Sequence, residues 1–345
     1  MTRLASLLSA LILLASCARP MPEGVTELTY ATPYPPSHPF SLADQRWIDF
    51  VEQESGGAIV IRAAWSGVLL SADMSMEEIR HGVADIGLIT PIYVRGGTHL
   101  LRTQTGFYSG ADSIDAQTAL YRCMAERVPQ FDQELAGLKL LAVQGGLLPG
   151  IVTRFDKVEK LDDLEGLRIR APTELLGVLG QLGADPVNIP MGEVYSAMAK
   201  GVIDGVIAPP DTLRSLHLVE VAEHFWELKV PRGAYPARAM NAERWDSLSD
   251  EARALLERST PVWEAALADE IRKSEQAGRE AGEGVVSWTP VSEADQQRFD
   301  TLYLREGEKN ARALQRFGID GMQAYRLARA SILARDSIRC EGNNT

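Results

Sequence analysis

From Leu28 to Ile207 short apolar runs alternate with segments whose apolar residues recur at helical spacing, and this alternation constrains the fold more than any other feature of the chain. The stretches 28–31, 58–63, 85–89, 138–144, 167–170 and 202–207 read as strands. The stretches 40–55, 75–81, 116–127, 173–182 and 191–200 read as helices; Trp47, Phe50 and Val51 form the apolar face of the first, and Gly56-Gly57 stops it. Strands separated by helices pair most readily in parallel, because each crossover returns the chain to the same end of the sheet. The expectation is an α/β fold with a largely parallel sheet. From Ser249 to about Arg335 the pattern becomes almost wholly helical, with a break at 284–290. Long closing helices packed on or between two α/β lobes account for that change. A chain of 345 residues, 45% of them hydrophobic, is long enough for two such cores.

The N-terminus indicates a destination. Met1-Thr2-Arg3 is followed by a run over 4–15 that is apolar apart from Ser6 and Ser9, which is too short to span a bilayer and reads as a secretory signal. The run ends in Leu14-Ala15-Ser16-Cys17, which resembles the lipobox of bacterial lipoproteins. That resemblance implies a cleaved signal peptide (1–16), a diacylglyceryl group on Cys17, and a Pro-containing tether over 17–27. Two acyl chains would anchor stably, since each buried methylene contributes roughly 0.8 kcal/mol. Ala18 in place of Asp resembles sorting to the outer membrane of a Gram-negative cell. An ordinary cleaved signal with an incidental Cys17 is the alternative.

Composition removes several function classes. A formal net charge of −12 argues against a nucleic-acid partner. The remaining cysteines, Cys123 and Cys340, are compatible with a disulfide in an oxidising compartment, or with one buried and one exposed thiol; spacing does not decide between these. No Cys/His cluster suggests a metal, and no phosphate loop, dinucleotide fingerprint, G-x-S-x-G elbow or H-E-x-x-H helix appears. No enzyme and no cofactor are expected, and a monomer is the default.

Several stretches together identify a family resemblance. Ser37-His38-Pro39, Glu54-Ser55-Gly56-Gly57-Ala58-Ile59, Gly82-Val83-Ala84-Asp85-Ile86-Gly87, Leu161-Asp162-Asp163-Leu164-Glu165-Gly166, Gly166-Leu167-Arg168-Ile169-Arg170-Ala171-Pro172, Leu182-Gly183-Ala184-Asp185-Pro186-Val187, Glu193-Val194-Tyr195 and Gly201-Val202-Ile203-Asp204-Gly205 occur in order between about Leu28 and Arg316. They resemble the DctP-type solute-binding proteins of TRAP transporters. The resemblance implies a two-lobed periplasmic-binding-protein fold (type II-like) with long C-terminal helices across both lobes. It also implies hinge closure over a small organic acid and delivery to a TRAP permease. On this mapping the first lobe is 28–147 plus 236–275, the second is 148–235 plus 276–335, and 336–345 is a tail.

The same resemblance places Arg170 where the family clamps a carboxylate, a role that paired guanidinium donors suit. A structural ion pair is the alternative role for Arg170. Where the family usually carries a second arginine this chain has Gly150; where it carries an asparagine, Ala208; where an aromatic often lines the cleft, Met191. These departures suggest a less polar, roomier pocket for a monocarboxylate with an apolar body. A lipid-like ligand, or a sensor or scaffold role uncoupled from transport, is the alternative. Trp65, Tyr93 and Tyr195 are further pocket candidates, because ligands bind beyond strand C-termini in open α/β folds. Asp211 would either line the pocket or cap the helix beginning near Thr212, and His38 reads as a structural hydrogen-bonding residue.

Overall fold

The computed structural model describes residues 24–94 and 96–340, so the signal, the lipobox and Cys17 lie outside the described residues. Two sheets organise the chain. The first runs in the order Ile59–Ala64, Thr26–Ala31, Ile86–Leu88, Tyr235–Asn241, Leu138–Gln144. The second runs Ser287–Pro290, His224–Glu227, Gly150–Thr153, Gly205–Ala208, Arg168–Arg170, Asp185–Val187. The fold is thus α/β and two-lobed, with one large sheet per lobe and a small two-stranded sheet, Ile332–Ala334 with Ser337–Ile338, beside the first. The first strand starts at Thr26, inside the span read as tether, because Thr26 and Glu27 already pair with Ile59 and Val60.

The sheets are mixed, which corrects the largely parallel expectation. Tyr235–Asn241 enters the first sheet antiparallel to both of its neighbours. Gly150–Thr153 is antiparallel to both of its neighbours in the second. Each of these strands is reached by a chain segment passing from one lobe to the other, so no crossover helix fixes its direction. The break in the helical last third also contains a strand, Ser287–Pro290, paired with His224–Glu227.

The helix Asp250–Gly282 ties the lobes together. Ser249 caps it by accepting from the Ala252 amide, and Asp250 and Glu251 complement the positive end of its dipole. Its apolar face packs on the helix Pro39–Glu54, with Trp263 stacked on Trp47 at 3.6 Å. Beneath them Arg238 Nε donates to Asp44 Oδ1 at 2.8 Å, with both side chains fully buried. Tyr30 and Trp263 also donate to Asp44, so the buried carboxylate is fully engaged. Farther along, a Cβ at Gly278 would lie 2.1 Å from the Pro210 carbonyl; only glycine lets the helix cross the second lobe so closely. The helix Glu293–Ala313 makes a similar crossing, where a Cβ at Gly307 would lie 2.6 Å from the Gly106 oxygen.

The final helix, Gly321–Ser331, packs with Ala324 and Ala328 against Phe107, Leu120 and Met124 of the first lobe. A Cys123–Cys340 disulfide, with Cα atoms 5.4 Å apart, fastens the end of the described chain to the helix Ile114–Arg127. The expected assignment of 276–335 to the second lobe is therefore redrawn: its last helix belongs with the first. The disulfide closes a loop with a sequence separation of 217, so its removal should cost about 2–4 kcal/mol by releasing the unfolded chain. Cys340→Ser is expected to lower the thermal midpoint by several degrees, as is prior reduction of the wild type, while ligand affinity is retained. Calorimetric scans of both proteins, with and without reductant, test this; equal midpoints would refute it.

Candidate functional site

A cavity of about 140 Å³ lies between the lobes. The C-terminal ends of three strands reach it, through Leu88, Arg170 and Ile207, as the geometry of open α/β sheets requires. Its apolar wall includes Phe40, Leu147, Leu175, Met191, Val230 and Ile271. The volume is comparable to that of an apolar cavity that admits one benzene molecule.

Arg170 is the last residue of its strand and only 3% exposed. The chain leaves the sheet at Ala171-Pro172, which turns the guanidinium toward the cavity. Arg170 Nε donates to the Ile189 carbonyl at 2.9 Å, and Nη2 donates to Tyr93 Oη at 2.8 Å. The second bond crosses from one lobe to the other. Among the described residues Arg170 has no carboxylate partner in an ion pair, so the structural ion-pair role is not what the geometry shows.

A second arginine, not anticipated from the sequence, lines the same cavity. Arg232 lies in Val230-Pro231-Arg232-Gly233, and it likewise forms no ion pair among the described residues. Gly146 makes room for it, since a Cβ there would stand 2.4 Å from the Arg232 Cζ. The only signal in the sequence was an arginine framed by Pro and Gly in a connecting loop. Tyr34, Tyr235 and Glu174 complete the polar lining and were also missed. Burial pushes the Tyr34 and Tyr235 phenols up, against the opposing pull of nearby Arg232.

The other candidates separate clearly. Met191, Tyr93 and Asp211 line the cavity. Ala208 is fully buried and packs in the core with Val194 and Leu213; side chains alternate along its strand, so Ile207 faces the cavity instead. Gly150 lines a neighbouring groove, and a Cβ there would be 2.4 Å from the Phe225 ring, leaving no space for an arginine. Tyr195 donates to Glu220 Oε2 at 2.8 Å in an outer groove of about 730 Å³ that shares Tyr34, Tyr93 and Met191 with the cavity. Trp65 lies outside, against Tyr30 at 5.8 Å and the first-lobe core. His38 lines the cavity edge, stacks on Tyr34 at 4.0 Å, and caps its helix by accepting from the Phe40 amide at 3.2 Å.

Of the two roles open to Asp211, lining the pocket or capping its helix, the side chain does not make the cap. Its backbone is already helical, and its Oδ2 accepts instead from Ser215 Oγ at 3.2 Å. Burial pushes its carboxyl up to about 6, against the opposing effects of Arg232 and Ser215.

These features define a class: a two-lobed solute-binding protein whose closed cleft presents a buried guanidinium to a guest. The family described as bacterial extracellular solute-binding protein, family 7 (DctP) matches residues 30–305, and the chain belongs to it. A TRAP periplasmic solute-binding protein from Bordetella bronchiseptica, solved with (R)- and (S)-mandelate, is 21% identical with a TM-score of 0.79; the match covers 89% of this chain and 98% of that one. A TRAP solute-binding protein from Rhodoferax ferrireducens, solved with copurified benzoate, is 23% identical with a TM-score of 0.80, covering 89% and 97%. The C4-dicarboxylate-binding periplasmic protein DctP of Rhodobacter capsulatus is 32% identical over 129 residues, which is 35% of this chain and 38% of that protein. By that description, proteins of this family bind solutes outside the cell's interior.

The shifted Asp211 has a consequence for stability. A carboxyl whose folded pKa exceeds its unfolded value favours folding while protonated, and that contribution is lost as pH rises from about 4 to about 6. Asp211→Asn is expected to raise the unfolding midpoint at pH 8, by at most about 3 kcal/mol in stability, with the gain fading toward pH 4. His38, whose pKa burial lowers to about 3, weakens the fold in the opposite direction as pH falls, but it is common to both proteins and cancels in their difference. Thermal scans of the two proteins across this range decide the matter, and a pH-independent difference would contradict the assignment.

Proposed function

We propose that the protein is an extracytoplasmic solute-binding lipoprotein that captures a monocarboxylate with an apolar body and delivers it to a TRAP-type permease. One observation carries this reading: Arg170 is almost fully buried, borders a cavity between the lobes, and has no ion-pair partner among the described residues. A desolvated cation held only by neutral hydrogen-bond partners is costly, and an incoming carboxylate would relieve that cost with paired hydrogen bonds. The enclosed volume suits a ring-sized body and is too small for a long acyl chain. Benzoate and mandelate, the ligands of the Rhodoferax and Bordetella proteins, are acids of that size and supply natural probes. The protein binds its guest without transforming it. On this reading Cys17 carries the lipid, holding the binding body to the outer membrane.

Titration calorimetry with benzoate, phenylacetate and succinate tests the ligand class. At least one ring acid should bind in the micromolar range or tighter, and succinate at least tenfold more weakly. Tight succinate binding would overturn the monocarboxylate reading. Arg170→Gln should weaken ring-acid binding by tenfold or more, while Tyr93→Phe should do so by a smaller factor through loss of the bond between lobes. An unchanged affinity in Arg170→Gln would remove the clamp. Cys17→Ser should move the full-length protein from the membrane fraction to the soluble fraction, and persistence in the membrane fraction would exclude a lipid on that cysteine.

A further inference from the structure

Glu174 is the acidic counterpart of the two arginines, and its chemistry narrows the guest further. It lies four residues beyond Arg170, on the segment that follows the strand, and lines the same cavity. Its Oε2 is buried and has no hydrogen-bond partner among the described residues. Burial pushes the carboxyl up, against its own backbone amide, Thr105, Arg170 and Arg232, so both arginines are electrostatic neighbours without being ion-paired to it. Buried acceptors in folded proteins are almost always satisfied, so an orphan acceptor on a residue that lines a binding cavity calls for a donor from what enters the cavity. An ionised carboxylate can only accept, whereas Arg170 and Arg232 can only donate. A second carboxylate on the guest would satisfy the arginines but would face Glu174 with like charge. A hydroxyl can donate to Glu174 and still accept from a guanidinium.

We infer that Glu174 recognises a hydrogen-bond donor on the ligand, so that the guest is a small hydroxy acid: one carboxylate on Arg170, a ring-sized body, and a hydroxyl facing Glu174 Oε2. The inference rests on the monocarboxylate reading above and assigns the guest a second polar group. Glu174 becomes a specificity-determining residue, selecting among acids that Arg170 would hold alike. A site built to bond a hydroxyl discriminates strongly against the analogue lacking it, because the protein group is then left unpaired.

Two matched pairs of probes make the test: phenylacetate against mandelate, and benzoate against 3-hydroxybenzoate. Each is titrated calorimetrically at pH 8 into wild type and into Glu174→Met, which keeps the bulk and removes the acceptor. The expected result is at least a tenfold preference of wild type for the hydroxylated member of one pair, collapsing to less than threefold in Glu174→Met. Glu174→Gln, which keeps an acceptor oxygen, should retain part of the preference and covers the case in which the methionine variant does not fold. If the plain acids bind wild type as tightly as their hydroxylated partners, a water serves Glu174 and the inference fails alone. A preference that persists undiminished in Glu174→Met also refutes it. If none of the four acids binds, the ring-acid reading fails and this inference fails with it.

Discussion

The site depends on keeping one guanidinium dry without neutralising it. In water Arg170 would hold no preference for a particular acid, because solvent screens the charge and competes for each donor. The structure removes the water yet, among the described residues, supplies only neutral hydrogen-bond partners, the Ile189 carbonyl and the Tyr93 phenol. Those two bonds fix the plane of the fork while leaving it without an ion pair. Because the phenol belongs to the opposite lobe, this bond ties the orientation of the cation to the approach of the two lobes.

Such a site requires rigid lobes on a joint that brings them close. The first lobe is held by the buried Asp44–Arg238 pair, whose carboxylate also receives Tyr30 and Trp263. The pair therefore links a strand, a helix, a returning strand and the long helix at one point. The joint uses glycine for the opposite reason. At Gly278 and Gly307 helices run within van der Waals reach of the other layer's backbone, and any side chain would hold the layers apart. Stiffness comes from a fully satisfied polar cluster, and close approach comes from having no side chain at all.

This division explains what the sequence disclosed. The periodic elements were legible because each buries one face on its own sheet: the strand Leu138–Gln144 and the helices Pro39–Glu54 and Met191–Ala199 fall within a residue or so of where periodicity puts them. Gly150–Thr153 and Tyr235–Asn241 were missed, since each is entered by chain passing between lobes, which leaves no local pattern. Within the site, Arg170 was legible from its motif and Met191 from its place in the family order. Arg232 and Glu174 were not, because their roles arise from contacts between distant segments: Gly146 vacating space for one, and two arginines flanking the other. Ala208 shows the converse error, in which a correct strand was read one residue out of phase with the face that meets the cavity.

On the proposed reading an acidic protein captures an anion, an apparent conflict between a formal net charge of −12 and a negatively charged guest. The two act over different distances. Surface carboxylates are screened within about 8 Å at physiological ionic strength, so most of the −12 is not felt inside the cleft. Arg170 and Arg232 act in a desolvated space where screening is weak, and they dominate the local field. Net acidity serves solubility, and the guest is selected by two cations and one unsatisfied acceptor. A pocket with the arginines alone would accept any small anion. The carboxylate beside them makes the pocket selective, since it leaves the attraction for one acid group in place and penalises a second.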